Sequence, residues 1–419
     1  MKQKLSRKIV LVGATVATVA LIGCLGCAGQ NQPAEEKGEA PAAPQEQASQ
    51  PEAQAQDAQK PYEMKTLAEW VALYPNEGNT YMDSEMTNTY ESFSGLCTSD
   101  FFGGEDAPNG CAACHAREHF AEGYAAEGEA YLFKNAGENA AYWSNCTNCH
   151  VGDPGDGKVE GGNLYGELTS ASATKLFPAE DYICGQCHAM FPGNAYMEDA
   201  YKGIDQYKYG IDPEDMLRAM KEYYEANPLT GTEMTAGMVG VPMLDPSINT
   251  VLYMTDACTE VEVFQDSNHQ KMGLTCIDCH MPQTQAADGA KFTNHNMTQT
   301  VLENPDALAK CMTCHKSQGI EDADAMVAFV QGKMAELEAA QAETKANLDA
   351  FHDALANVVA NGGVDETKLK AAQDDYNLAN VYFKYQAANG NMAAMNLTKC
   401  MDYLEKANSL IADGMAQLG

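Results

Sequence analysis

Apolar residues recur at three- and four-residue spacing over the last quarter of the chain. Val327, Val330, Met334 and Leu337 form one string, and Leu348, Phe351, Leu355 and Val358 form another. This spacing covers one side of a helix. Gly362-Gly363 breaks the pattern, as paired glycines do. Leu369, Ala372, Tyr376, Ala379 and Phe383 resume it up to Asn389-Gly390, and Leu397, Met401 and Leu404 begin a last helix. Asn-Gly is a natural helix stop. The pattern predicts a mainly α fold with little strand and a long C-terminal helical region over residues 319–419, whose helices pack as core.

The N-terminus has a different pattern. Lys2, Lys4, Arg7 and Lys8 precede an apolar run from Ile9 to Ile22, the layout of an export signal. Leu21-Ile22-Gly23-Cys24 matches a lipoprotein cleavage box, with Cys24 as the lipidated residue. Cys27 is the alternative acceptor, and a short uncleaved anchor is the other reading. Residues 1–23 are therefore expected to be a signal peptide. Residues 24–60 then form a lipid-anchored tether of Ala, Gln, Glu and Pro without apolar periodicity, a composition that cannot bury a face. Trp70, Val71, Leu73 and Tyr74 bring apolar residues back, so a folded core is expected over 61–318. The expected location is outside the cytoplasmic membrane, in the periplasm or at the cell surface.

Charge narrows the partners. The chain has 59 acidic and 26 basic residues, a formal charge of −33. Nucleic acid and anionic lipid surfaces are poor partners for that field, whereas a basic docking patch on a redox protein fits it. Solubility outside the cell is the plainer explanation. Arginine is scarce: only Arg7, Arg117 and Arg218 occur, which leaves few of the planar forks that clamp small oxyanions.

Cysteine arithmetic carries the chemistry. Cys-x-x-Cys-His occurs at Cys111-Cys114-His115, Cys146-Cys149-His150, Cys184-Cys187-His188, Cys276-Cys279-His280 and Cys311-Cys314-His315. Chance gives ~0.01 such matches in a chain of this composition, so the motif is c-type haem attachment. Two thiols add across the vinyl groups of one haem, and the next histidine reaches the iron. Zinc ribbons need no histidine after each pair, and thioredoxin motifs come singly. The first three motifs begin at 111, 146 and 184 and the last two at 276 and 311. Such spacing is too short for a domain around each haem, so five haems share one core and lie close together, as electron transfer requires. Second axial ligands must come from His119, His269, His295 and His352 or from methionine.

The fourth motif has informative surroundings: His269-Gln270-Lys271-Met272-Gly273-Leu274-Thr275 before Cys276, Met281-Pro282 after it, then Asn294-His295. Together with Gly185-Gln186, the haem count and the helical tail, this resembles the pentahaem cytochrome c nitrite reductases, the ammonia-forming cytochrome c552 family. The resemblance implies that His269 caps the fifth-motif haem and that His295 caps the second. It places Met395 where the family has the histidine capping the fourth haem; Met392 competes for that role, and a core methionine is the plain reading. It also implies a homodimer through the tail helices.

The family's catalytic pocket is not matched. Cys258 stands eighteen residues before Cys276, where the family has its catalytic histidine, and Ala257 replaces a calcium-binding glutamine. Met190-Phe191 replaces a Glu-Tyr pair, and no arginine lies between Arg7 and Arg117. Phe191 lacks a hydroxyl, and Ala257 and Met190 give no side-chain oxygen to a hard cation, so calcium is not expected. His115 and Cys258 remain as first-haem pocket residues. Cys97, Cys258 and Cys400 are spare thiols, of which two can pair in an oxidising compartment. The expected function is electron transfer in anaerobic respiration, from a membrane quinol-oxidising cytochrome to a separate reductase. The alternative is a terminal reductase of nitrite or another small oxyanion at the first haem.

Overall fold

The computed structural model describes residues 65–84, 126–127, 145–150, 152–156, 183–185, 188–190, 205–228, 242–253, 259–387 and 391–419. Two short helices come first, α1 (Leu67–Leu73) and α2 (Pro75–Met82). The Glu69 carboxylate accepts from the Thr66 backbone N–H at 2.8 Å and its hydroxyl at 2.9 Å, which fixes the start of α1. Pro75 begins α2 at once, because a proline lacks only an N–H that the first turn leaves unused.

Helix α3 (Pro213–Ala226) is amphipathic and buries Met216, Leu217, Met220 and Tyr224. A two-stranded antiparallel ribbon follows, β1 (Met243–Asp245) with β2 (Thr250–Leu252), pairing Met243 with Leu252 and Asp245 with Thr250. Three short helices come next, α4 (Glu260–Phe264), α5 (Asn268–Lys271) and α6 (Cys276–His280). A second ribbon, β3 (Gln283–Gln285) with β4 (Lys291–Thr293), leads into α7 (Pro305–His315).

The tail is three long helices, α8 (Ala323–Asn361), α9 (Glu366–Ala387) and α10 (Ala393–Leu418). Asn391–Met334, Asn408–Thr344 and Gly414–Phe351 advance in step, so α8 and α10 run parallel. Gln341–Gln386, Phe351–Tyr376 and Tyr382–Tyr403 run in opposite senses, so α9 is antiparallel to both. Leu337, Leu348, Phe351 and Leu355 of α8 meet Ala372, Tyr376, Ala379 and Tyr385 of α9 and Leu404, Ala407 and Ile411 of α10 in one core, joined by the buried face of α3. A Cβ at Gly414 would overlap the Phe351 ring, so glycine lets α10 approach α8 here.

The expected break at Gly362-Gly363 is present, with positive φ of 73° and 105° that glycine adopts without strain. The two apolar strings before it belong to one 39-residue helix. The last helix starts at Ala393, ahead of Leu397, and Asn396 interrupts it with φ −159° and ψ 73°. Residues 389–390 lie outside the described residues, as do the expected signal peptide and tether. Among the described residues, no helix is long and apolar enough to cross a membrane.

Candidate functional site

The second Cys-x-x-Cys-His begins with a single 3-10 turn over Cys146–Asn148. The Asn145 amide caps it, accepting from Thr147 N–H, and donates to the Lys65 carbonyl at 2.7 Å, which ties the motif to the start of α1. His150 closes the turn with a bond from its N–H to the Cys146 carbonyl. Opposite it stands His295, with ring centres 6.1 Å apart and planes inclined by 32°. The His295 N–H donates to the Thr80 hydroxyl at 2.9 Å, so α2 holds this residue from behind. Its Nδ1 lies 2.8 Å from the Thr293 carbonyl. A carbonyl only accepts, so the proton sits on Nδ1 and Nε2 keeps its lone pair.

The fifth motif is built the same way from other elements. Asn304 caps α7, accepting from Asp306 N–H at 3.0 Å, and Pro305 opens the helix. Cys311, Cys314 and His315 fall on its last turns. Ser267 caps α5, accepting from Gln270 N–H at 3.0 Å, and so positions His269. His269 and His315 have ring centres 6.2 Å apart. Phe329 of α8 lies near His315, with ring centres 5.8 Å apart. The Ala394 carbonyl of α10 bonds the His269 ring.

These separations have a chemical reading. Two imidazoles on opposite sides of one metal ion are set apart by two bonds of about 2 Å. Each ring adds roughly 1 Å from its nitrogen to its centre, so the centres fall about 6 Å apart, as found in both pairs. Burial lowers the pKa of His269, His280 and His295, and neighbouring backbone carbonyls oppose that shift. They are neutral imidazoles near pH 7, the form that binds a metal.

The cytochrome c552 family model matches residues 76–419. The chain belongs to the cytochrome c552 family. Its members carry covalent haem c. Among solved structures, the catalytic subunit NrfA of the Desulfovibrio desulfuricans cytochrome c nitrite reductase is 19% identical, with a TM-score of 0.55. The match covers 74% of this chain and 65% of that one, so the chain spans less than two-thirds of its relative's length. At that identity the likeness concerns the fold. The outer cell wall cytochrome OcwA matches at 18% identity and a TM-score of 0.39, over 79% of this chain and 49% of that one.

Where they are described, the residues of these motifs fit haem c. Burial pushes the free Cys146 and Cys279 thiols up to about 11, so these half-enclosed sulfurs would join a haem edge in apolar surroundings. Met272, Ile277 and Phe329 are large apolar side chains left exposed in or beside the fourth and fifth motifs. A bound haem would cover such surface, which otherwise needs an explanation.

The remaining site residues divide by position. In the fourth motif, Asp278 of α6 pairs with Lys310 of α7 at 2.9 Å, linking it to the fifth. The Met297 carbonyl bonds the His280 ring. Met395 is half-buried against the core and precedes the kink in α10, whereas its competitor Met392 lies inside the core at 2% exposure. In the third motif, Cys184 is half-buried, and His188 Nδ1 lies 3.1 Å from Glu260 Oε1. His352 pairs with Asp245 at 2.9 Å and Ser247 at 3.3 Å, a structural contact between α8 and the first ribbon. Cys400 is a thiol in the apolar core, and burial pushes it up to about 12. Cys111, Cys114, His115, His119, Cys187, Phe191, Ala257, Cys258, Cys97 and Cys24 lie outside the described residues.

Sequence reasoning missed two groups. One is the Ala394 carbonyl, which no side-chain pattern marks. The other is Glu262, fully buried on α4 with its carboxyl raised to about 7 by burial. Its signal was present: a single acid within Val261-Glu262-Val263-Phe264.

Proposed function

We propose that this chain is an extracytoplasmic electron carrier with five covalent haems, rather than an ammonia-forming nitrite reductase. The electron-transfer part of the reading rests on the two opposed histidine pairs; the rejection of nitrite reduction rests on Met190-Phe191, Cys258 and the lack of arginine between Arg7 and Arg117, which replace the family's catalytic set. A pair on either side of one iron fills both axial positions and leaves no site for substrate, which is the arrangement of an electron-transfer haem. Cys146 and Cys149 would hold one haem between His150 and His295. Cys311 and Cys314 would hold another between His315 and His269. Haem supplies reversible one-electron chemistry, and the protein fixes its ligands, covers its edge and excludes water.

The remaining motifs extend the same reading. His188 and His280 serve the third and fourth haems, with Met395 as distal ligand of the fourth, and His115 serves the first. The Met190 side chain stands in the core and brings a thioether where a hard cation needs oxygen. Cys24 carries the lipid, residues 24–60 form the tether and the haem core spans 61–318. Electrons come from a membrane quinol-oxidising cytochrome and leave to a separate reductase.

Reduced viologen and nitrite test the proposal on purified, haem-loaded protein. We expect five haem masses on the chain and negligible ammonium. Turnover on the order of 10 per second would make it a terminal reductase instead.

A further inference from the structure

Among the described residues Glu262 contacts no ligand histidine, and the electron-transfer reading gives it no role. It has 0% exposure on α4. Its Oε1 accepts from Met190 N–H at 2.6 Å and from the Tyr207 hydroxyl at 2.6 Å. Its Oε2 is buried without a hydrogen-bond partner. The titratable groups that face it are Tyr207 on one side, Tyr385 of α9, and Glu260 on its own helix. Lys399 of α10 is near, but its ammonium is engaged by the Glu262 and Gln265 backbone carbonyls at 3.0 and 2.7 Å. An ionised carboxylate in this setting has two good donors and one bare oxygen, which is costly in a buried site.

The hydrogen count allows a second state. Tyr207 has one hydroxyl hydrogen, and both Glu262 Oε1 at 2.6 Å and the Met190 carbonyl at 2.9 Å are within its range. With Glu262 ionised, that hydrogen goes to the carboxylate. With Glu262 protonated it turns to the Met190 carbonyl, and Glu262 gains a donor of its own. The Gln206 amide already donates to the Met190 carbonyl at 2.6 Å, and its own Oε1 is a buried acceptor without a partner. The cluster can thus take one proton by turning a hydroxyl, with no backbone movement. Met190 lies two residues beyond His188 of the third motif.

We propose that Glu262 is a proton-loading site coupled to reduction of the haem on the third motif. The inference rests on the haem reading given above. One electron from a low-potential one-electron donor converts ferric to ferrous iron, removing one positive charge. One proton from bulk water converts the Glu262 carboxylate to the acid, so the region keeps its net charge. The proton binds more tightly to the reduced protein. The midpoint of that haem is therefore highest at low pH and falls as pH rises through the range where Glu262 ionises. Burial places that range near about 7.

The test is a spectroelectrochemical titration of haem-loaded protein from about pH 5.5 to about 8.5, with infrared difference spectra between oxidised and reduced states. Wild-type protein should show one pH-dependent midpoint and a carboxylic-acid C=O band that grows on reduction. Glu262→Gln keeps an oxygen for Met190 N–H and offers its NH2 as a permanent donor, so it should flatten that midpoint and lose the band. Tyr207→Phe removes a donor to the ionised form and should move the bend to higher pH. A wild-type protein without the band, or a pH dependence that persists in Glu262→Gln, overturns the proposal. If Glu262→Gln fails to take up haem, the wild-type band and the Tyr207→Phe shift decide. A full haem complement with no pH-dependent midpoint rejects this site alone and leaves the electron-carrier reading intact.

Discussion

Replacing Asn396 should disturb both stability and one haem ligand. Its side chain sits at the kink in α10 and makes contacts of two kinds. Oδ1 accepts from Lys399 N–H at 3.3 Å, capping the longer part of the helix. Nδ2 donates to the Val263 carbonyl at 3.0 Å and reaches the Gln265 carbonyl at 3.5 Å, at the end of α4. Loss of a helix cap costs about 1 kcal/mol. A half-buried carbonyl left without its donor costs about 1–3 kcal/mol more, so Asn396→Ala should destabilise by about 2–4 kcal/mol. Asn396→Asp keeps the cap but turns a second acceptor toward two carbonyls, so it should lose the larger part alone. The effect reaches the site because Ala394, two residues earlier, bonds the His269 ring. We expect guanidinium unfolding to shift to lower midpoint, with a high-spin fraction appearing at one haem. A change below about 0.5 kcal/mol, the usual size for surface substitutions, with an unaltered spectrum would refute this reasoning.

Two further outcomes follow from the geometry. Gly414→Ala gains about 1 kcal/mol of helix propensity but overpacks against Phe351, at about 1–3 kcal/mol; the net should be destabilising in wild type and turn stabilising in a Phe351→Leu background, as read by denaturant unfolding. His269→Ala and His295→Ala should each turn one low-spin haem high-spin, and an unchanged absorption spectrum in either variant rejects that ligand.

The long helices were legible because their apolar spacing and their breaker lie within one stretch of chain. The continuity of α8 was not. Residues 338–347 carry no apolar stripe to bridge the two strings, yet they are rich in Ala, Glu, Gln and Lys, and such residues keep a helix going by propensity alone. The Cys-x-x-Cys-His motifs were legible because covalent attachment fixes both residue type and spacing. His269 and His295 carry no local signal and are singled out only through resemblance. Their meeting with His315 and His150 is long-range and set by α2, α5 and α7. The Asn396 kink has no local signal, since its partners Val263 and Gln265 lie more than 130 residues away. Glu262 illustrates the remaining gap: periodicity marks where apolar side chains go, but it does not tell whether one acid among them faces water or Met190.

Two of the described histidines share a property that bears on what the haems can do. His315 ends α7, and His280 ends the short α6. A helix C-terminus carries partial negative charge and favours a cation nearby. Paired imidazoles with carbonyl-bonded ring nitrogens are strong donors to iron. The chain as a whole carries −33. All three effects stabilise the ferric state over the ferrous, so all three lower the potential. Thioether ligation acts in the opposite direction, since methionine raises it. If Met395 caps the fourth haem, that haem stands above its neighbours and collects the electron; if it packs only as core, the series stays level and the electron is shared. The midpoint titration used for Glu262 separates the two cases, because Met395→Leu lowers one high midpoint in the first and leaves every midpoint in place in the second.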